Sequence, residues 1–516
     1  MFFMRSKEST TRIRVLLLLV IAAAVTAGCR SLPRDFEPGD STYALEPAGE
    51  GLLADFSRAC EKRVADDESC FLLLDRNDED LWWRLALIDS ARTSLDLQTF
   101  IWARDFSGRL LITRMLKAAD RGVRVRLLVD DFPTRRRDRE IAVLDQHPNV
   151  EIRLWNPGSQ RQLGRNLAFL ARLRELNHRL HNKVLIAANR VLISGGRNLA
   201  DAYFGLSDSY NFFDLDLLTA GPVVEPVSGM FDRYWNSPQA VPGVNFHRRA
   251  SAEEISSVQA DLQRALEAST LNEIVAIAPQ DWAERFERGK SEMVPGRGEV
   301  IYDKPGEREP SQDALIGLQR FFRQAQREVK VLNPYLVPGE PFFAEAQLLE
   351  ERGVDMAIMT NSLGSTNQPI VHEAYARTRV PMLQAGVDVY EMKYLGGMQH
   401  ELDTPPVASA FVSLHAKAAV LDREHVFIGS FNFSPRSRNL NTEMGILVHS
   451  PEFGEAVATV MDRAMAPDNA WRLRTDENGE MSWESADGTL TSQPSQSFWR
   501  RFQNGIFSLL PVEQHL

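Results

Sequence analysis

Cysteine is scarce in this sequence, with only three in 516 residues. Three cysteines cannot form a disulfide scaffold, and the absence of any CxxC pair or Cys/His cluster leads us to expect no metal and no cofactor. A basic excess is also lacking, since the net charge is −11, and this disfavours a protein that coats nucleic acid. With 44% hydrophobic and 25% charged residues, the chain is not mainly disordered, collagen-like or coiled coil, and its length suits two or three domains.

The N-terminus has the pattern of an export signal, predicted over residues 1–28. Four basic residues precede the apolar stretch 15–27, which is too short to span about 30 Å of hydrocarbon as a helix. The stretch ends at Ala27-Gly28-Cys29, which resembles a bacterial lipobox, with Thr26 where an aliphatic residue is usual. We expect lipidation of Cys29, with plain cleavage or an uncleaved anchor as the alternatives. The protein would then face the periplasm from a membrane surface, and Arg30 favours the outer membrane over the inner one.

The two remaining cysteines, Cys60 and Cys70, are ten residues apart. Export places them in an oxidising compartment. Closing so short a loop removes roughly 2–3 kcal/mol of unfolded-state entropy in the simple model. We expect a disulfide between them, and two buried free thiols are the alternative.

The chain repeats itself at long range. Four blocks recur in the same order at offsets between 231 and 237, including 121–130 with 352–361 and His181-Asn-Lys183 with His415-Ala-Lys417. In the first half, helical spacing over 81–92 and 110–121 alternates with strand-like stretches at 95–102 and 123–129. Gly122 is placed to end the second of these helices. The pattern predicts two similar α/β domains, each with helices on both faces of a largely parallel sheet and a site beyond the strand ends.

The repeat also sets the expected domain boundaries. We predict an N-terminal segment over 29–80, a first domain over 81–221 with its motif region at 176–203, a connecting region over 222–310, a second domain over 311–450 with its motif region at 410–437, and a C-terminal segment over 451–516. Because residues 222–310 lack the repeat, we expect them to pack around or connect the halves. Residues 476–497 are rich in Gly, Ser, Asp and Glu and favour an exposed loop.

Each half carries the same set of chemistry-bearing residues: an HxK pair, a G-[GS]-x-N tetrapeptide and a later acid. The members are His181, Lys183, Gly196, Asn198 and Asp214 in the first half, and His415, Lys417, Ser430, Asn432 and Glu443 in the second. One HxK pair is a weak signal, but two in a repeat with matching downstream residues are a strong one. Alternation through Leu414, Ala416 and Ala418 predicts a strand with His415 and Lys417 on one face.

This set resembles the phospholipase D superfamily, and most closely the exported, synthase-C-like branch of the bacterial cardiolipin synthases. The resemblance covers about residues 80–516 and is carried by 95–102, 119–131, 176–183, 195–201, 334–338, 360–363 and 509–513. It implies two phospholipase D-like α/β/α domains in a pseudo-twofold arrangement, with the active site at their junction. It also implies a phosphatidyltransferase that makes cardiolipin from phosphatidylglycerol-like lipids through a phosphohistidine, with His181 as nucleophile and His415 as general acid and then base.

The residue types suit this chemistry. A phosphodiester resists attack because its oxygens are negative, so Lys183 and Lys417 would supply charge, while Asn198 and Asn432 would donate hydrogen bonds. One neutral imidazole can attack phosphorus, and a protonated one can protonate the leaving alcohol. Ser430 and Gly196 are expected to support the phosphate.

Each histidine also needs an acid to orient it. Because Asp214 follows His181 by 33 residues and Glu443 follows His415 by 28, each before an apolar strand, we pair them within each half. Asp216 is the next candidate in the first half. The intact second motif could argue for the reverse assignment of nucleophile and acid.

Position 188 departs from the motif, since Ala188 stands where HxKxxxxD ends in Asp. Strand parity from His181 points residue 188 away from the reacting face, so we assign that position a structural turn role and expect an active protein. A catalytically degenerate, lipid-binding protein is the alternative.

Other functions share the two HxK motifs. A phospholipase D-type hydrolase and a secreted phosphodiesterase or nuclease are the alternatives to transfer, although acidic charge and a lipid anchor disfavour a nucleic-acid partner. Residues 135–183 hold eleven basic and five acidic residues, which suits anionic headgroups as well as a solvated surface. The apolar segment 497–510 could lie in a membrane interface, although docking on its own core is favoured. His372 is taken as structural, with contact to the substrate as the alternative, and His178 is not selected as catalytic.

Overall fold

The computed structural model describes residues 39–134, 137–158, 178–246, 250–306 and 310–496. The predicted signal segment with Cys29 and the apolar segment 497–510 therefore lie outside the described residues, as do residues 135–136 and 159–177 of the basic stretch 135–183. No helix among the described residues is both long and apolar enough to cross a membrane.

Helices and strands alternate from Leu52 to Trp155, as the sequence predicts, and five strands then follow without an α-helix between them in the described residues. In chain order they are α1 (Leu52–Glu61), β1 (Ser69–Leu74), α2 (Asn77–Ser90), β2 (Ser94–Thr99), α3 (Phe106–Asp120), β3 (Arg124–Asp130), α4 (Asp138–Leu144), β4 (Val150–Trp155), β5 (Arg179–Leu180), β6 (Val184–Ala187), β7 (Val191–Gly195), β8 (Asn211–Phe213) and β9 (Asp216–Ala220). The predicted helix end is also present, because Gly122 follows α3 with a φ of 93°, a conformation that favours glycine.

The connecting region contains its own elements: α5 (Val224–Trp235), β10 (Ala240–Pro242), α6 (Ala252–Glu267), α7 (Ala283–Glu292) and β11 (Val294–Tyr302). Helix α6 begins with a capping box between Ser251 and Glu254 and buries Leu262 and Leu266 in the core of the first half. Strand β11 pairs with β1 on one side and with the second half on the other. The region thus both covers the first half and joins it to the second.

The second half repeats the pattern. Its elements are α8 (Asp313–Phe322), β12 (Glu328–Leu332), α9 (Glu340–Glu351), β13 (Asp355–Asn361), α10 (Pro369–Ala376), α11 (Arg379–Gln384), β14 (Val387–Met392), α12 (Gln399–Leu402), β15 (Val412–Leu414), β16 (Ala418–Leu421), β17 (His425–Gly429), α13 (Pro435–Asn439), β18 (Asn441–Thr442), β19 (Met444–His449), α14 (Pro451–Met465), β20 (Ala470–Thr475), β21 (Met481–Ser485) and β22 (Gly488–Leu490). The expected exposed loop over 476–497 is wrong in part, because β21 and β22 form a hairpin there. Trp483 of β21 is buried and donates its indole N–H to Glu391, which ties the hairpin to β14.

Eighteen strands form one continuous sheet that runs through both halves. The order is β10-β4-β3-β2-β6-β7-β9-β1-β11-β19-β17-β16-β12-β13-β14-β20-β21-β22. Only β2-β3-β4 and β12-β13-β14 are parallel, so the expectation of a largely parallel sheet is wrong. Short hairpins, such as β6-β7 and β16-β17, produce some of the antiparallel pairs, and the others join strands that lie farther apart in the chain, such as β2-β6 and β1-β9.

The hydrophobic core has three parts. One cluster lies in the first half around α2 and α3, and another lies in the second half around β12, β13 and α8. The third is shared: it joins residues of β6 and β7 with residues of β16, β17 and β19 and includes much of α5 and α14. Because the shared cluster seals the halves to each other, residues from both can form one rigid site.

Cys60 of α1 and Cys70 of β1 are joined by a disulfide. It links the first described helix to the strand at the centre of the sheet. This is the pairing expected from the sequence.

Candidate active site

Two short parallel ladders anchor each HxK segment to the opposite half. Strand β5, just before His181, pairs with β18, and strand β15, just before His415, pairs with β8. The ladders continue into the histidines, because the amide of His181 donates to the carbonyl of Thr442 at 3.1 Å and that of His415 donates to Phe213 at 2.8 Å. Both histidines therefore lie at the junction of the halves.

The two orienting acids are exchanged between the halves. Nδ1 of His181 lies 2.8 Å from Oε2 of Glu443, and Nδ1 of His415 lies 2.6 Å from Oδ2 of Asp214. The pairing expected within each half is therefore wrong. The reason is the ladders: each acid follows the strand that pairs with the other half's histidine segment, so it reaches that histidine and not its own.

This contact fixes the tautomer of both imidazoles. A carboxylate accepts hydrogen bonds, so Nδ1 of each ring carries the proton and Nε2 of the neutral ring keeps its lone pair. Burial lowers the pKa of His181 to about 4, with Lys183 adding to the effect against Glu443. Burial and Lys417 lower the pKa of His415 to about 3. At neutral pH both rings are therefore neutral, and either Nε2 could attack an electrophile.

The acids remain ionised. Although burial alone would raise the pKa of Asp214, His415 and Lys417 lower it to about 2. Against the same effect of burial, His181 and Lys183 hold the pKa of Glu443 below its usual range. Each carboxylate can therefore stabilise an imidazolium when its histidine gains a proton.

The two lysines bend back over their own histidine segments. Nζ of Lys183 donates to the carbonyl of His181 at 2.5 Å, and Nζ of Lys417 donates to the carbonyl of His415. The predicted strand through the motif is wrong, because residues 415–417 lie in the gap between β15 and β16. The strand pairing with β8 ends at Leu414, and Lys417 lies next to His415, with its Nζ 3.0 Å from Nδ1 of that ring.

Both lysine side chains are buried, and the charge of each acts on both histidines. Burial lowers the pKa of Lys183 to about 8 and that of Lys417 to about 7. The charge of Lys417 also lowers the pKa of His181, and that of Lys183 lowers the pKa of His415, so each lysine acts on the histidine of the other half. The site therefore holds two cations where an anionic oxygen would be stabilised.

The two asparagines differ in how they are held. Asn198 accepts from the amide of Ile101 at 3.0 Å and donates through Nδ2 to the hydroxyl of Tyr203 at 2.8 Å. That hydroxyl lies 3.5 Å from Nε2 of His415, so Asn198 is connected to the reacting end of the imidazole. Oδ1 of Asn432 is buried and has no hydrogen-bond partner within the described part of the chain.

The expectation that Ser430 and Gly196 support the phosphate is wrong, because the hydroxyl of Ser430 and the amide of Gly196 donate to acids of the protein. The hydroxyl of Ser430 donates to Oε2 of Glu443 at 2.5 Å, and its side chain is fully buried. The amide of Gly196 donates to Asp216 at 2.8 Å. A Cβ on Gly196 would lie 2.1 Å from Oδ1 of Asp214, so this position makes room for the acid that orients His415.

Asp216, the alternative acid of the first half, belongs to a buried ion-pair network. Its carboxylate contacts Arg84 at 2.5 Å and lies 3.8 Å from Arg197. Asp80 contacts Arg84 at 2.5 Å. Arg197 in turn donates to the carbonyl of Asp214 at 2.8 Å, so the network supports the backbone of that acid.

Ala188 lies at a turn, as the sequence argument expects. It follows β6 with a φ of 54°, and its counterpart Asp422 follows β16 with the same φ. The carboxylate of Asp422 accepts the amides of Gln326, Arg327 and Glu328 at 2.7–3.0 Å, before β12 begins. The motif aspartate is therefore a backbone acceptor in the second half, and Ala188 removes it from the first.

Several contacts were not foreseen from the sequence. Asp130, at the end of β3, accepts the amide of Leu180 at 2.9 Å, and Asn361, at the end of β13, accepts that of Leu414 at 2.8 Å. Their matching places in the repeat could have identified them. Aromatic rings also contact the histidines, with Phe100 5.4 Å from His181 and Phe212 4.8 Å from His415 between ring centroids.

The other two histidines considered lie in structural contacts. Nδ1 of His372 lies 3.2 Å from the carbonyl of Asn361, and Nδ1 of His178 lies 3.0 Å from that of Leu440. Among the described residues, no group of three or more His, Cys, Asp or Glu side chains could hold a metal ion.

Comparison with known proteins identifies relatives across both halves. The family described as "Cardiolipin synthase, PLD-like domain" matches residues 85–235 and 318–465, which is more than half of the chain. Cardiolipin synthase C of Escherichia coli (strain K12) is 36% identical over 443 residues, which covers 83% of this chain and 92% of that protein. Cardiolipin synthase B of the same strain is 23% identical over 381 residues, covering 74% and 76%.

A solved structure has the same fold. The phosphatidylserine synthase of Haemophilus influenzae Rd KW20 matches with a TM-score of 0.52 at 14% identity, over 79% of this chain and 89% of that one.

Proposed function

Because this chain belongs to the cardiolipin synthase family with phospholipase D-like domains, we propose that it is a phosphatidyltransferase of the phospholipase D type. We further propose cardiolipin as its product and phosphatidylglycerol-like lipids as its substrates. The observation that carries this proposal is the crossed pair of histidines, each oriented by the other half's acid beside two buried lysines. The name of the relative that is 36% identical supports the choice of lipid.

In the first step, Nε2 of His181 attacks phosphorus, and the bond to the leaving alcohol breaks. The contact with Glu443 fixes the proton on Nδ1, which leaves the Nε2 lone pair for attack. Nε2 of His415 gives its proton to the leaving alcohol. A bound phosphodiester brings a negative charge that offsets the lysines, so the pKa of His415 rises and the ring takes up the proton that it later donates.

In the second step, neutral His415 accepts the proton of an incoming hydroxyl, which attacks phosphorus and releases His181. If the hydroxyl belongs to a lipid such as phosphatidylglycerol, the product is cardiolipin, and if it is water, the reaction is hydrolysis. Both histidines are held by an acid at Nδ1, so the choice of His181 as nucleophile rests on the resemblance to the superfamily. Lys183 and Lys417 stabilise the charge on the phosphoryl oxygens in both steps.

We also propose that the protein is exported and lipid-anchored at Cys29, facing the periplasm. The basic n-region, the short apolar stretch and the Ala27-Gly28-Cys29 sequence support this proposal. A Cys29→Ala variant is expected to lack the acylated N-terminal peptide that mass spectrometry finds in the unchanged protein. An acylated N-terminus in that variant would contradict the proposal.

The reaction can be tested with vesicles of phosphatidylglycerol, alone and mixed with phosphatidylethanolamine, by mass spectrometry of the lipids. We expect cardiolipin with the unchanged protein. His181→Ala and His415→Ala are each expected to lower the rate at least about 10³-fold, since two cooperating groups fail together. His425→Ala, which changes a histidine paired with His449, is the matched control and should retain activity.

The outcomes separate the alternatives. Formation of phosphatidic acid without cardiolipin would show that the protein is a hydrolase and would contradict transfer. Cleavage of plasmid DNA without any change in the lipids would contradict a lipid enzyme. Binding to vesicles without any lipid product would indicate a degenerate protein.

A further inference from the structure

We infer that an apolar cavity between α8, α9 and the segment 431–435 binds an acyl chain of the phospholipid whose phosphate enters the active site. The inference rests on the proposed function, because it names how that substrate is held. The cavity has a volume of about 440 Å³, within the range of small-molecule sites.

Three parts of the second half form the wall of this cavity. Helix α8 contributes Leu315 and Phe322, α9 and the turn before it contribute Val337, Phe342 and Ala346, and the segment 431–435 contributes its two phenylalanines. Carbon atoms dominate this lining, and its charged members are Glu345 and Arg438. Such a surface suits hydrocarbon better than a sugar or a nucleotide base.

The matching place in the first half is closed, because α2 and α3, the counterparts of α8 and α9, pack directly against each other. Helix α3, the counterpart of α9, has 15 residues and buries 12 of them, including Leu110, Leu111 and Ile112. Helix α9 has 12 residues and buries only Ala346 and Leu349. The added helix α6 packs over α3, with Val258, Leu262 and Leu266 in the same core, whereas the cavity lies between α8 and α9. The cavity is therefore a feature of one half and does not follow from the repeat.

The cavity wall continues into the active site at two places. Phe431 and Phe433 flank Asn432 of the second motif, and the amide of Val337 donates to the carbonyl of Phe433 at 2.7 Å. Two residues before Val337, the ring of Tyr335 lies 6.0 Å from that of His415. A lipid with its phosphate between the histidines would thus have apolar residues of the cavity wall next to both Asn432 and His415.

Exposed apolar residues on the two helices of the cavity favour a lipid that enters from a membrane. Ile316 of α8 is 61% exposed and Leu348 of α9 is 54% exposed, among the largest exposures of big apolar side chains described. Half-buried Phe322 and Phe342 lie on the same two helices. Apolar surface around an apolar cavity lets a chain leave the bilayer without crossing water.

A cross-linking experiment locates the chain directly. The probe is phosphatidylglycerol with a diazirine at the end of one acyl chain, in vesicles of unlabelled phosphatidylglycerol, with the full protein and with a His181→Ala/His415→Ala variant that cannot turn the probe over. We expect cross-links in the peptides of α8 and α9 in both proteins. Cross-links elsewhere, or cross-links at the cavity only after residues 497–516 are removed, would overturn the inference, the latter because the chain's own apolar segment would then fill the cavity.

A filled cavity tests whether the site matters for turnover. Ala346 is buried in the wall, so Ala346→Trp should lower kcat/KM for long-chain phosphatidylglycerol about ten-fold, the loss expected when about two methylenes no longer fit. Turnover of bis(p-nitrophenyl) phosphate, a diester without acyl chains, should be unchanged and reports a folded active site. Ala344→Trp, on the exposed side of α9, is the matched control.

If Ala346→Trp loses both activities, Leu315→Trp at the half-buried edge of the cavity replaces it. If a variant still turns over the acyl-free diester but lowers both activities by the same factor, the inference is overturned. Failure of the proposed function differs from this result, because it removes cardiolipin formation from the unchanged protein while the cross-links remain.

Discussion

The two halves hold equivalent acids by different means. In the second half, Glu443 is surrounded by neutral donors: Ser430 at 2.5 Å, Ser437 at 2.6 Å and Asn441 at 3.3 Å, in addition to His181. In the first half, Oδ1 of Asp214 accepts the amide of the next residue at 2.9 Å, and the buried ions Asp216, Arg84, Arg197 and Asp80 lie behind it. Phe431 and Gly445 occupy the places in the second half that Arg197 and Asp216 occupy in the first.

The difference teaches that the repeat conserves the reacting atoms and not their support. Each half needs an acid that contacts a histidine. Hydrogen bonds from serine and asparagine side chains position that acid in the second half, and a buried ion-pair network supports it in the first. A residue that is correct in one half should therefore fail at the matching place in the other, which makes the comparison testable by exchange.

The largest effects are expected from the two acids. Asp214→Asn and Glu443→Gln should each lower kcat about 10²- to 10⁴-fold, because the amide no longer fixes the Nδ1–H tautomer. With ¹⁵N-labelled histidine, Glu443→Gln should change the ring signals of His181 and leave those of His415, and Asp214→Asn should do the reverse.

Asp208→Asn, at an exposed carboxylate, is the control for the acid variants and should change neither activity nor ring signals. If Glu443→Gln instead altered His415 and left His181 unchanged, the crossed pairing would be wrong.

Substitutions at the matching positions Gly196 and Ser430 should have the next largest effect. Gly196→Ser copies the second half, but its Cβ would displace Asp214, so we expect about a 10²-fold loss in kcat. Ser430→Ala keeps the Cβ and removes one donor to Glu443, so its loss should be about ten-fold. Kinetics of both variants on phosphatidylglycerol vesicles measure the difference. Equal tolerance of the two would contradict distinct supports.

The lowered pKa values of the two lysines predict that activity falls at alkaline pH. The pKa values of about 7 for Lys417 and about 8 for Lys183 mean that both positive charges are lost as pH rises through this range, so kcat/KM should fall there. On the acid side, activity is lost when the nucleophile His181 is protonated, and its pKa of about 4 places that loss well below the ordinary histidine range. A pH profile with bis(p-nitrophenyl) phosphate measures both limits.

Lys417→Arg sharpens this prediction, since a guanidinium stays charged at all these pH values. The variant should have a lower maximum and an alkaline limit moved upward toward that of Lys183. An unmoved limit would show that Lys417 does not set it.

The smallest effect on activity is expected at the turn. Ala188→Asp restores the motif but should change kcat less than about two-fold, because residue 188 lies in the turn after β6 and not at the reacting atoms. Asp422→Ala should instead lower the free energy of unfolding by about 1–3 kcal/mol, since three backbone amides lose their acceptor. Denaturant unfolding compares the two, and a large gain of activity in Ala188→Asp would contradict the turn role.

The sequence was sufficient for the reacting residues but not for their pairing. The HxK pairs and later acids are visible because chemistry-bearing types recur at a near-constant offset. The exchange of Asp214 and Glu443 depends on two ladders of two and three residues, which are too short to leave a periodic signal. Tyr203 was missed because the repeat places Ser437 opposite it, a residue of another size that also contacts its half's motif asparagine.

The central claim is that the halves form one site in which a single histidine carries the phosphatidyl group. Rapid alkaline quenching with labelled phosphatidylglycerol, followed by peptide mass spectrometry, tests it most directly. We predict one adduct per chain, on Nε2 of His181 because Nδ1 is held by Glu443, and none in His181→Ala. An adduct on His415 would reverse the two roles, and continued turnover with no histidine adduct at any time would contradict the account.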